Sequence, residues 1–124
     1  MKAVLTDKAP KPIGPYSQAV KAGGLVFTSG QIAIDPAGGA MVAGDIVKET
    51  EQVFTNLAAV LTAAGTSLGR AAKTTVFLTD MGLFGKVNEV YARHFREPFP
   101  ARSTIQVAAL PKGAAVEIEV IAEC

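Results

Sequence analysis

An arginine and a glutamate lie inside two otherwise apolar segments near the end of the chain. Arg102 belongs to residues 100–107, and Glu117 belongs to residues 116–120. Both side chains are costly to bury without a partner or a ligand. An arginine can hold a carboxylate through two parallel hydrogen bonds, and a glutamate can activate a water molecule. Alternatively, the two form an inter-strand ion pair, which is the commoner use of such residues in sheets.

The two segments are predicted to be strands of a hairpin, because residues 110–113 between them contain proline and glycine. Side chains alternate along a strand, so the apolar side chains of each strand share one face and the polar ones share the other. The apolar faces are expected to meet the helices. Arg102 and Glu117 are therefore predicted to lie together on the opposite face of the sheet.

The periodicity of the remaining chain predicts the element order β-β-β-α-β-α-β-β. In order, these elements are residues 4–6, 16–20, 25–29, a helix over 45–64, a strand over 73–78, a second helix between Asp80 and Pro98, and the two closing strands. The order is typical of an α+β fold in which two helices cover one face of a mixed sheet. The other face would be bare in a monomer, so we expect self-association to cover it.

The composition is consistent with a single domain that self-associates. The length of 124 residues predicts a single domain over residues 1–124. Hydrophobic residues make up 49% and the mean hydropathy is +0.31, yet no run reaches the roughly 18 apolar residues of a membrane span. The apolar excess is best explained by an oligomer interface.

Charge and cysteine content argue against several classes of function. The net charge is +1 with no basic block, which makes a nucleic-acid partner unlikely. One histidine and one cysteine make a zinc site implausible. Cys124 cannot form an internal disulfide, and the first residues lack the apolar core of a secretory signal, so a cytoplasmic location is expected.

Other polar side chains have both a chemical and a structural interpretation. The Tyr16 hydroxyl can donate to a ligand, or the residue is a packed aromatic with an exposed tip. Ser29 precedes a glycine at the end of a strand, where it can face a pocket or cap the turn. Asn88 belongs to the surface or to a site. His94 has a core-facing spacing and is interpreted as structural, so Ser29 has no triad partner.

Taken together, these residues resemble the Rid family (reactive intermediate deaminases, also called the YjgF family). The similarity covers nearly the whole chain. The segments that carry it are Gly-Pro-Tyr-Ser-Gln-Ala-Val at 14–20, Thr-Ser-Gly-Gln-Ile at 28–32, Glu-Gln-Val-Phe-Thr-Asn-Leu at 51–57, Lys-Thr-Thr-Val-Phe-Leu-Thr-Asp at 73–80, and Pro-Ala-Arg-Ser at 100–103 with Val-Glu-Ile-Glu at 116–119.

The resemblance implies a chorismate-mutase-like α+β fold that assembles as a homotrimer with sites in the clefts between subunits. It implies hydrolysis of reactive 2-aminoacrylate-type enamines and imines, released by PLP-dependent dehydratases, to 2-ketoacids and ammonia. It implies no metal and no organic cofactor. The alternatives are a trimeric regulatory module that binds 2-ketoacids without turnover, and a translation inhibitor or endoribonuclease.

The resemblance also implies roles for individual residues. Arg102 would bind the substrate carboxylate and Glu117 would orient or activate the hydrolytic water. The pocket would be lined by Tyr16, Ser29, Asn88 and the backbone near Ile105. Several family members carry a cysteine where this chain has Thr104, so thiol chemistry at that position is not expected here.

Overall fold

Six strands form one mixed sheet in the computed structural model, which describes residues 1–124. The strands are β1 (Lys2–Val4), β2 (Ala19–Ala22), β3 (Leu25–Thr28), β4 (Ala71–Leu78), β5 (Ala101–Gln106) and β6 (Val116–Glu123). Their spatial order is β1-β2-β3-β6-β4-β5. Only β4 and β5 pair in parallel, and the other neighbours are antiparallel. The predicted α+β class and element order are confirmed, although β1 begins two residues earlier than expected.

The turn between β2 and β3 follows from its two glycines. Gly23 and Gly24 have φ angles of 59° and 78°, in the left-handed region that a tight hairpin turn requires. Ala22 and Leu25 are register partners on either side of the turn. The predicted hairpin is therefore confirmed.

The two helices also begin and end at local sequence signals. Helix α1 covers Ile46–Ala63, and the Asp45 side chain caps it by accepting hydrogen bonds from two backbone amides. Gly65 follows its end with a φ of 87°. Helix α2 covers Phe84–Ala92 and follows a single 3₁₀ turn that Asp80 caps. Neither helix combines the length and apolarity needed to cross a membrane.

Both helices pack on the same face of the sheet. Buried and half-buried residues alternate along β4 and β6, as expected when one face meets a core and the other does not. The largest fully buried side chains of this core include Phe54, Leu57, Leu61, Leu78 and Ile118. No helix covers the opposite face, where Phe27 and Ile105 are 37% and 45% exposed. We call it the open face.

The predicted hairpin between the two closing strands is wrong. Strand β4 lies between β5 and β6, pairing in parallel with the first and antiparallel with the second. Residues 107–115 wrap around the end of β4: the Val107 amide bonds the Leu78 carbonyl, and the Thr79 amide bonds the Ala115 carbonyl. Hairpin loops usually have about two to five residues, and this connection is longer.

The pairing also overturns the prediction that Arg102 and Glu117 share a face. Arg102 is the register partner of Thr74, which is fully buried under the helices. Glu117 is the register partner of Phe77, and Phe77 pairs on its other side with Ile105. Glu117 and Ile105 therefore lie on the open face, whereas Arg102 lies on the helix-covered face at the last strand of the sheet.

Candidate functional site

The Arg102 side chain rests on helix α2. Its Nη1 donates a hydrogen bond to Asn88 Oδ1 at 2.7 Å. Its guanidinium carbon lies 4.6 Å from the centre of the Tyr91 ring and 5.4 Å from that of Phe84. Asn88 is its only hydrogen-bond partner, so most of its N–H groups remain available to a carboxylate. We call Arg102, Asn88, Tyr91 and Phe84 the arginine half-site.

Helical spacing brings three of these residues together. Phe84, Asn88 and Tyr91 follow one another at intervals of four and three residues, which places them on one face of α2. Neither Tyr91 nor Phe84 was among the site residues predicted from the sequence. The available signal was an amide flanked by two aromatic residues along one helix face, next to a strand that carries an arginine.

A second group of site residues surrounds a cavity of about 470 Å³ beside the open face. Glu117 reaches it from β6, and Ser29 and Gly30 follow the end of β3. The Ser29 Oγ donates to the Ser17 carbonyl oxygen at 2.6 Å, so its lone pairs remain free to accept from a ligand. Tyr16 is 52% exposed at the rim. We call Tyr16, Ser29, Gly30 and Glu117 the glutamate half-site.

Gly30 lies directly against the Glu117 carboxylate. A methyl group built on its Cα would lie 2.6 Å from Glu117 Oε2 and 2.8 Å from Cδ. The neighbouring Gln31 and Ile118 exchange two backbone hydrogen bonds, of 2.9 and 3.2 Å, which hold this loop against β6. Only glycine permits so close an approach. Gly30 was not among the site residues predicted from the sequence, where its position after Ser29 was the only hint.

Burial raises the pKa of the Glu117 carboxyl above its usual value of 4.5, and the negative charge of Glu119 raises it further. Both causes disfavour the charged form. A carboxyl group with a raised pKa in a cavity is a better proton acceptor and donor near neutral pH than an ordinary glutamate. Glu117 is thus suited to proton transfer with water.

Within one chain the two half-sites do not meet. The sheet separates Arg102 from Glu117, and the only carboxyl group within salt-bridge distance of a basic side chain is that of Glu51, next to Arg93 and His94. The inter-strand ion pair considered as an alternative is therefore not formed. One half-site carries an arginine that can bind a carboxylate, and the other carries a glutamate that can accept a proton.

The remaining candidates occupy separate positions. Ile105 lies on β5, whose outer edge is one of the two free edges of the sheet and carries unpaired backbone groups. Thr104 is half-buried on the helix side. His94 stacks on Phe54 at a centroid distance of 4.3 Å, and its Nε2 lies 3.4 Å from Glu51 Oε1.

The sequence of nearly the whole chain matches a known family. Residues 6–124 fit the family model described as Endoribonuclease L-PSP. The chain belongs to this family, the Rid (YjgF/RutC) family. The resemblance noted from the sequence segments is thereby confirmed.

Three relatives are similar to this chain over nearly its whole length. A mouse protein named 2-iminobutanoate/2-iminopropanoate deaminase is 50% identical over 121 residues, which cover 98% of this chain and 90% of that protein. The crystal structure of RidA from Psychrobacter matches with a TM-score of 0.95 and 47% identity, covering all of both chains. E. coli TdcF with bound serine matches with a TM-score of 0.93 and 42% identity, covering 100% and 99% of the two chains.

Proposed function

We propose that this chain hydrolyses reactive 2-aminoacrylate-type enamines and imines to 2-ketoacids and ammonia, as a 2-iminobutanoate/2-iminopropanoate deaminase. The observation that carries the proposal is that the chain presents, at two separate places, an arginine with free N–H groups and a glutamate of raised pKa that lines a cavity. The name of the mouse relative, at 50% identity over almost the full chain, supports the same reaction.

The chemistry requires few groups. An enamine first takes a proton on carbon and loses one from nitrogen, which gives the imine, whose carbon is electrophilic. Glu117 removes a proton from water as the water oxygen bonds to that carbon, and the C=N π electrons pass to the nitrogen, which takes up a proton from solvent. In the resulting carbinolamine, protonated Glu117 gives its proton to the amino nitrogen and takes up the hydroxyl proton as the C–N bond breaks, which releases ammonia and the 2-ketoacid; Glu117 then returns a proton to solvent. Arg102 holds the carboxylate throughout, which fixes the imine carbon beside the water.

In this proposal a complete site forms between subunits of a homotrimer. Arg102 and Asn88 come from one subunit, and Tyr16, Ser29 and Glu117 come from its neighbour. The backbone near Ile105 adds a polar contact at the free edge of the sheet. Support comes from the open face, where Phe27 and Ile105 are exposed and self-association would cover them.

The proposed setting follows from the chemistry of the substrate. Short-lived imines need to be consumed near the enzymes that release them, so we propose a functional link to PLP-dependent dehydratases in the cytoplasm.

The site residues require no metal or organic cofactor for this hydrolysis. TdcF binds serine, a small molecule with the carboxylate that Arg102 would recognise here. We propose that residues 1–124 act as one domain.

A coupled assay tests the proposal. The purified protein is added to a threonine dehydratase reaction and the rate of ammonia release is measured. We expect the wild type to accelerate release and Arg102→Ala to abolish the acceleration. Arg96→Ala is the matched control, because Arg96 is exposed and belongs to neither half-site. No acceleration by the wild type, or full acceleration by Arg102→Ala, would contradict the proposal.

A binding module without turnover is a second candidate, favoured by the serine bound to TdcF. It would use the same cleft to sense 2-ketoacids or related carboxylates. Calorimetry that detects tight 2-ketobutanoate binding by a protein without activity in the coupled assay would support this role over the deaminase.

Endoribonuclease activity is a third candidate, favoured by the description of the matching family model. The net charge of +1 and the two glutamates on the open face, Glu117 and Glu119, oppose a polyanionic ligand there. RNA cleavage by the wild type that is lost in Glu117→Gln would place such an activity at this site. Cleavage that survives Arg102→Ala would place it elsewhere.

A further inference from the structure

We infer that Tyr91 is a positioning residue for Arg102: its ring holds the guanidinium where it can receive a substrate carboxylate. The inference rests on the proposed function, because it assigns a supporting residue to the same site. Arg102 is an exposed residue on the last strand of the sheet, and a long exposed side chain has many rotamers.

Two aromatic rings of helix α2 restrain the Arg102 guanidinium. The Tyr91 ring centre lies 4.6 Å from the guanidinium carbon, within the range of a cation–π contact, and the Phe84 ring lies 5.4 Å away. A planar guanidinium can stack on such a ring while its N–H groups point outward. The bond to Asn88 Oδ1 fixes one of those groups. The ring and the amide together select one orientation.

Tyr91 is itself rigid. It is 7% exposed, and its hydroxyl shares a 2.7 Å hydrogen bond with Thr74 Oγ1. Its ring packs against Phe95 and Phe54, at centroid distances of 4.5 and 5.9 Å. Thr74 is fully buried and is the register partner of Arg102 across β4 and β5. A fixed strand residue thus holds the ring, and the ring holds the arginine on the adjacent strand.

This arrangement predicts a specific kinetic effect. A pre-oriented arginine loses less conformational freedom when a carboxylate binds, so affinity rises. The carboxylate is held equally in the ground state and the transition state. Loss of the Tyr91 ring should therefore raise KM and Kd while kcat changes little.

The test compares substitutions within one aromatic cluster. Tyr91→Leu removes the ring beneath Arg102, and we expect Kd for 2-ketobutanoate and KM in the coupled assay to rise about tenfold, with kcat within about threefold. Tyr91→Phe keeps the ring and should stay within about threefold of wild type. Phe95→Leu is the control: it truncates the same cluster and lowers thermal stability, but it leaves Kd near the wild-type value.

A spectroscopic measurement separates this inference from the proposed reaction. Because the guanidinium lies over the ring, the Arg102 Nε proton should resonate upfield of other arginines in the NMR spectrum, and Tyr91→Leu should return it downfield. An unshifted Arg102 signal, or wild-type affinity in Tyr91→Leu while Arg102→Ala binds nothing, overturns the positioning role and leaves the reaction standing. Undiminished ammonia release by Arg102→Ala overturns the reaction, whatever the NMR result.

Discussion

Replacing Gly30 by alanine tests how closely the Glu117 carboxylate must be placed. The added methyl group would lie 2.6 Å from Glu117 Oε2, so the carboxylate must move by about 0.8 Å to regain an ordinary 3.4 Å contact. Gly30 is not among the residues with positive φ, so the backbone itself accepts alanine. The substitution therefore acts mainly on the glutamate.

The size of the effect follows from this displacement. A misplacement of roughly 1 Å in an active site can reduce the rate by about 100-fold, so we expect kcat to fall by about 10- to 100-fold in Gly30→Ala. The free energy of unfolding should fall by less than about 1 kcal/mol, because the half-buried side chain can turn toward solvent. Since burial is the main cause of the raised pKa, that movement should also lower the pKa of Glu117.

The assay is the pH dependence of kcat/KM in the coupled reaction, together with thermal melting. Gly30→Ala should lose rate, and the acidic limb of its profile should move to lower pH. Gly38→Ala is the control, because Gly38 has nothing within 4 Å of the added methyl group and no positive φ. A Gly30→Ala enzyme with kcat within twofold of wild type and an unchanged acidic limb would refute the reasoning.

Two further predictions concern stability. The pKa of Glu117 is raised in the native state above its usual value of 4.5. Between these two pKa values the native state binds more protons than the unfolded state, so the free energy of unfolding falls as pH rises through that range. Glu117→Gln should therefore melt at a higher temperature than wild type at pH 8 and at about the same temperature at pH 4; equal melting at both would contradict this. The buried Glu49 carboxylate accepts from the Ala115 and Val116 amides at 2.7 and 3.2 Å. Glu49→Ala should lower the free energy of unfolding by about 2–4 kcal/mol in urea titrations, whereas the exposed control Glu97→Ala should change little.

The elements with strong local signals could be predicted from sequence. Asp45 and Gly65 bound helix α1, and Gly23-Gly24 forms the β2–β3 turn, because capping and left-handed φ angles depend only on nearby residues. The relation of β5 to β6 could not be predicted in this way. A strand's periodicity shows which side chains share a face, but its neighbour in the sheet is decided by distant residues. Parallel pairing with β4 therefore reversed the expected face of Arg102.

The candidate site likewise combines residues that the sequence suggests with residues that only the structure reveals. Residue type and family resemblance made Arg102, Glu117 and Tyr16 candidates for the site. The contribution of Gly30 arises from a contact with a strand far along the chain, and that of Tyr91 from a contact between a helix and an edge strand. Neither contact has a pattern in the local sequence.

The central claim is that Arg102 of one subunit and Glu117 of another make one site. Arg102→Ala and Glu117→Gln chains can be expressed separately or together, and the rate of ammonia release can be measured for each of the three preparations. Alone, each variant should be inactive. In a random equal mixture, about one quarter of the clefts would pair an intact Arg102 with an intact Glu117, so activity should return to about one quarter of wild type. A co-expressed mixture no more active than the separate variants would contradict a shared site.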